Sequence, residues 1–109
     1  MTSPPRRFVV LHHDWPSPHH DLMIEDGDAC RTWRLLGPLD AASIPIEPLT
    51  PHRLAYLTYE GPVSNDRGEV RRIDAGTCII DAEWVTFVGA VLSGDYRLGP
   101  QTLQRGGIG

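Results

Sequence analysis

Lysine is absent from this chain: all ten of its basic residues are arginine. Fourteen acidic residues outnumber them and set the formal net charge at −4. That balance excludes a protein that grips nucleic acid through a broad positive field. It leaves room for local phosphate sites, because a planar guanidinium meets a phosphate with two hydrogen bonds. A plainer source of the arginine count is a coding bias toward G and C. Cysteine is scarce too, and Cys30 and Cys78 lie far apart with no metal-ligand spacing. A disulfide scaffold or zinc ribbon is therefore excluded, and both thiols are expected to be small core residues in a reducing, cytoplasmic setting. No segment approaches the roughly 18 apolar residues of a membrane span, so no membrane partner is expected. Residues 1–7 carry no apolar stretch of the secretory type. Gly-rich phosphate loops, Walker motifs and Gly-x-Ser-x-Gly elbows are all missing, as are internal repeats.

What is present reads as short strands. The chain has 109 residues and is 40% hydrophobic, enough for one core and one domain. Ten prolines and eleven glycines favour frequent turns over long helices. Phe8 to Leu11 is β-branched and aromatic. His19 to Glu25 alternates, with Leu22 and Ile24 on one face and His19, Asp21, Met23 and Glu25 on the other. Asp26-Gly27-Asp28 predicts a hairpin turn into Arg31–Leu36. A Pro-rich connection is expected over 37–51, with a short helical turn near Asp40. His52 to Tyr59 is a further strand. Gly68–Ile73 and Thr77–Asp81 flank a turn at Asp74-Ala75-Gly76, and Trp84–Val88 and Asp95–Leu98 complete about eight strands. Trp33 and Trp84 are assigned to the core. The expectation is a mainly β protein, a small antiparallel barrel with little helix over residues 8–98. A flexible lead-in (1–7) and a flexible tail (99–109) flank it.

Four of the five histidines fall between positions 12 and 20. On a strand, His19 and Asp21 project from one face, and the Pro-rich turn before them can fold His13 alongside. Two imidazoles and a carboxylate form an N,N,O set suited to manganese, iron or zinc, with positions left for water and substrate. His12 and His20 point away under the same alternation. The plainer alternative is a group of surface histidines beside a turn. Downstream, His52 and Tyr56 share a face of a candidate strand. There the histidine can hold a phosphate oxygen or donate a proton to a leaving group. A core tyrosine beside an exposed histidine is the ordinary alternative.

The order of residues also resembles a known family. Phe8-Val9-Val10-x-x-His13-Asp14, then His19-x-Asp21-Leu22-x-x-Glu25, is similar to the opening motif of the 3′-phosphoesterase domain of bacterial DNA ligase D. Trp33 near Gly37-Pro38, His52-x-x-x-Tyr56 before Tyr59-Glu60-Gly61, and Gly68-x-Val70 before Asp74-x-Gly76-Thr77 continue the likeness over residues 8–98. The resemblance implies a β-barrel, manganese-dependent enzyme that removes a terminal ribonucleoside or phosphate from the 3′ ends of DNA or primers. It implies repair polymerase or ligase partners. His13, His19 and Asp21 would be the metal ligands, His52 and Tyr56 would contact the scissile phosphate, and Glu25 would support the site. Two arginines of that family are replaced here by Met23 and Ser17. Arg34 and Arg53 are the nearby candidates to take over their phosphate contacts. Two other readings follow from the same residues. One is a catalytically silent module that binds DNA ends or a repair partner. The other is a non-haem iron oxygenase using His19, Asp21 and His52.

Overall fold

The computed structural model describes residues 3–106. Nine strands run β1 Arg6–His13, β2 His19–Asp26, β3 Ala29–Leu35, β4 Ser43–Arg53, β5 Gly61–Pro62, β6 Glu69–Asp81, β7 Trp84–Val88, β8 Ser93–Leu98 and β9 Thr102–Arg105. One 3₁₀ turn, Leu54–Leu57, follows β4. Eight strands close an antiparallel barrel in the order β1-β2-β3-β4-β9-β8-β7-β6, with β6 returning to pair with β1. The short β5 attaches to the first half of β6. The protein is thus mainly β, as its short punctuated segments predict.

The core divides in two because β1 and β2 are apolar on both faces. Their inward residues, Phe8, Val10, Leu22 and Ile24, fill the barrel with Trp33, Ile44, Phe87 and Tyr96. Their outward residues, Val9, Leu11 and Met23, form a second cluster with Cys30 and Val70, roofed by Leu57 of the 3₁₀ turn. A run such as Phe8-Val9-Val10-Leu11 is what a strand covered on both sides requires. β4 and β7 alternate buried and exposed instead, since only their inner faces are covered.

Several expectations are corrected. The Pro-rich segment is mostly strand: β4 begins at Ser43, and only the stretch before it is a connection, closed by a turn from Ala41 N–H to Pro38 O (3.2 Å) and not by a helix. Ile44 and Ile46 alternate inward and decide the conformation. The prolines serve as acceptors, as Pro45 O does for Leu36 N–H at 2.8 Å. The strand expected over His52–Tyr59 ends at Arg53, and the chain then curls so that Leu54 and Leu57 cap the outer cluster. No turn interrupts Asp74–Gly76. β6 runs straight through, with a bulge where the β1 register steps from Val10↔Asp74 to Leu11↔Arg72. Asp74 is buried and accepts the backbone N–H groups of Ala90, Val91 and Leu92 at 2.9, 3.1 and 2.7 Å. Gly76 lies where a Cβ would strike the Val88 carbonyl. Trp33 is buried, but Trp84 is 41% exposed on the outer face of β7.

Both expected flanks are partly structured. β1 already includes Arg6 and Arg7, and the tail supplies β9, whose Leu103 is fully buried and which joins β4 to β8. Of those two predicted flexible segments, residues 1–2 and 107–109 lie outside the described residues.

Candidate metal centre

The β1–β2 hairpin brings the metal-ligand candidates together. The register pairs His13 with His19 and Leu11 with Asp21. Cross-strand partners share a face, so both imidazoles and the carboxylate emerge on the outer wall of the barrel. The two rings lie 5.1 Å apart between centroids. One donor atom from each of His13, His19 and Asp21 lies within 4.8 Å of the others. His12 and His20, also paired, turn to the opposite face, where their rings meet edge to face at 5.4 Å. Burial, and then the proximity of His12, lowers the pKa of His20.

Main-chain carbonyls orient the rings. A carbonyl only accepts, so the ring nitrogen facing it carries the proton. His19 Nδ1–H donates to Ser17 O at 2.8 Å and leaves its lone pair on Nε2. His13 Nε2–H donates to Arg67 O at 2.7 Å and leaves its lone pair on Nδ1. His52 Nδ1–H donates to Thr50 O at 2.9 Å. Such outer hydrogen bonds fix tautomer and ring plane in metal-binding histidines.

Among the described residues three buried side-chain polar atoms have no hydrogen-bond partner: His19 Nε2, Asp21 Oδ1 and Arg34 Nε. They converge on one spot. His19 Nε2 lies 3.3 Å from Asp21 Oδ2, and Arg34 Nε lies 4.0 Å from Asp21 Oδ1. In the neutral ring the Nε2 lone pair faces a carboxylate, two acceptors together, and an unmade bond to a buried charged group is costly. A divalent cation between them satisfies both, so the residues present fit such an ion.

The cluster lies between two hollows. The smaller, of about 200 Å³, is lined by His13, Asp21, Met23, His52, Tyr56 and Arg67. The larger, of about 470 Å³ at the barrel mouth, is lined by His12, Ser17, His19, His20 and Arg34. The expected His52 and Tyr56 therefore do reach the candidate centre, although from the end of β4 and the 3₁₀ turn and not from one strand face. Their rings meet at 6.0 Å.

Other assignments separate from the site. Arg34, opposite Asp21 in the β2–β3 register, stays beside it. Arg53 is exposed and faces a different hollow with Ala55 and Tyr59. Glu25 lies at the far end of β2, accepting from Arg7 N–H (3.1 Å) and the Arg7 guanidinium (2.8 Å), which lowers its pKa. Met23 is buried and belongs to the outer apolar cluster. Ser17 acts through its carbonyl. Among the described residues the donor cluster contains His13 and not His52, so the triad of the oxygenase reading is not the one assembled.

Arg67 escaped the sequence reading. Its loop announces itself through Ser64-Asn65-Asp66 and Gly68. That this loop folds over the end of β1, however, depends on the β1–β6 pairing. Asp14 fastens it there: Glu69 N–H donates to Asp14 Oδ1 at 2.8 Å.

Comparison with models of known protein families gives no match, and comparison with curated proteins gives none.

Proposed function

We propose that this protein is a metal-dependent phosphoesterase that acts on nucleic-acid 3′ ends, removing a terminal phosphate or ribonucleoside. The observation that carries the reading is the convergence of unpartnered donors from His19 and Asp21, with His13 in reach, beside a hollow lined by His52 and Tyr56. The order and spacing of these residues, similar to the 3′-phosphoesterase domain of DNA ligase D, supports the choice of substrate.

His13, His19 and Asp21 would hold Mn²⁺, or another divalent ion such as Zn²⁺. That ion when bound would polarise a phosphate oxygen and ease ionisation of water. His52, with Nδ1–H tied to Thr50 O, keeps Nε2 free; as the imidazolium, its Nε2–H would donate to a phosphate oxygen or pass its proton to the leaving oxygen. The Tyr56 hydroxyl borders the same hollow and can hold the same oxygen. Arg34 provides a guanidinium next to Asp21 on the other side. The acidic chain predicts weak, salt-sensitive affinity for nucleic acid beyond the end itself. Repair polymerases or ligases are the proposed partners, and the cytoplasm the proposed setting. Among the described residues no helix is long and apolar enough to cross a membrane.

The experiment is incubation of a primer bearing a 3′-phosphate with the protein and Mn²⁺, beside His19→Ala. A 3′-hydroxyl product from the wild type alone is expected. Absence of product, or equal product from both, overturns the enzyme. Met23, 2% exposed, supports a second reading, since an apolar side chain occupies a wall where a cation would grip phosphate. In that case the chain is an end-binding module, and fluorescence anisotropy shows binding of the 3′-phosphate primer without turnover.

A further inference from the structure

We infer that Arg67 grips the substrate phosphate in the smaller hollow while its own main chain orients the metal-ligand candidate His13; this rests on the phosphoesterase reading and names the residue that recognises the phosphate. Two features of one residue point to this. The Arg67 carbonyl accepts the His13 Nε2–H at 2.7 Å, and Arg67 is among the residues that border the hollow containing Asp21, His52 and Tyr56.

The guanidinium is held but not neutralised. Its Nε–H donates to Ser64 O at 3.0 Å, which aims the group and leaves both terminal nitrogens free of that bond. Among the described residues no carboxylate lies within ion-pair distance of Arg67. On a chain with a net charge of −4, an unpaired arginine at the edge of a hollow is a natural seat for an anion. A guanidinium offers phosphate paired hydrogen bonds about twice as strong as neutral ones.

The loop carrying it is built to a fixed shape. Asn65, Asp66 and Gly68 are left-handed, with φ of 63°, 54° and 76°. Val63 N–H closes the loop onto Gly68 O at 2.8 Å. A Cβ on Gly68 would lie 2.6 Å from the Trp15 Cβ and closer still to the Asp14 carboxylate, so the loop packs directly on the residues that follow His13. Loop position and His13 orientation are thereby one geometry.

Because His13 is held by a carbonyl, changing the Arg67 side chain leaves that hold in place. The experiment titrates Mn²⁺ into the full-length protein by paramagnetic resonance of the free ion. Inorganic phosphate is then titrated calorimetrically into the Mn²⁺-loaded protein, comparing wild type, Arg67→Gln and Arg67→Lys. Arg67→Gln is expected to keep its Mn²⁺ affinity within about twofold and lose phosphate affinity at least about tenfold, with Arg67→Lys between. Equal phosphate affinity in wild type and Arg67→Gln overturns the assignment of Arg67 and leaves the metal centre standing. A parallel loss of Mn²⁺ affinity in Arg67→Gln overturns it also, because the side chain would then act through the loop. Failure of the wild type to bind Mn²⁺ overturns the phosphoesterase reading itself, and the inference with it.

Discussion

Asp21 is a carboxylate held almost wholly out of water, 3% exposed, and one of its oxygens has no partner. Asp21→Asn is expected to lower Mn²⁺ affinity by more than about tenfold, since it removes a charged ligand from a set of three donors. Free Mn²⁺ at one hundred times its Kd should raise the unfolding free energy of the wild type by about 2.7 kcal/mol, and EDTA should abolish the gain. Asp21→Asn should keep no more than about 1.4 kcal/mol of it at the same concentration, as read by urea denaturation. Glu25 gives a pH prediction. Its bonds to Arg7 lower its pKa, so its contribution to stability is complete above the unfolded value and is lost as pH falls through the folded one. Carboxyl-carbon NMR should place the Glu25 midpoint below the ordinary glutamate range, and Arg7→Gln should return it there. At this scale the sequence was informative wherever residues are neighbours. His13, His19 and Asp21 belong to one hairpin: strand alternation puts His19 and Asp21 on one face, and the short turn returns His13 beside them. Arg67 was hidden because 54 residues separate it from His13. Glu25 obeyed the same alternation as Asp21 but lies four register pairs further along the strand, beside Arg7.

The elements hardest to read were those in which a local signal met a distant demand. Asp74-Ala75-Gly76 has the composition of a turn, yet Asp74 uses its carboxylate to hold the backbone of the loop between β7 and β8. Gly76 is there for close approach and not for reversal. Asp74→Ala would strand three backbone N–H groups, at least one of them buried, and should cost on the order of 3–5 kcal/mol. Chemical denaturation measures that loss, and hydrogen exchange should show it first at Ala90, Val91 and Leu92. The prolines of β4 misled for the opposite reason. Their lack of a donor argues against a strand only if every N–H is needed, and here Ile44 and Ile46 bury their side chains whatever the prolines contribute. By contrast, β1, β2 and the hairpin through Gly27, with its left-handed φ of 64°, were plain from apolar pattern and turn chemistry.

For the molecule as a whole, closure of the sheet depends on its last described strand. β9 is four residues long, pairs with both β4 and β8, and inserts Leu103 into the core. A chain ended at Gly99 would leave two unpaired strand edges and an open side to the core. It is expected to elute from size exclusion as aggregate, whereas the intact chain elutes at the volume of a folded 12.1 kDa protein or a defined oligomer of it. The barrel class was legible from the rhythm of short strands. Its closure was not, because a glycine- and proline-rich tail reads as loose until its partners are known. One arrangement has a practical consequence. On β1 and β2 the side chains that fill the barrel and those that would bind an ion face opposite ways, separated only by the thickness of the backbone. An engineer could therefore re-select the interior at Phe8, Val10, Leu22 and Ile24 for heat tolerance while leaving every reactive group untouched.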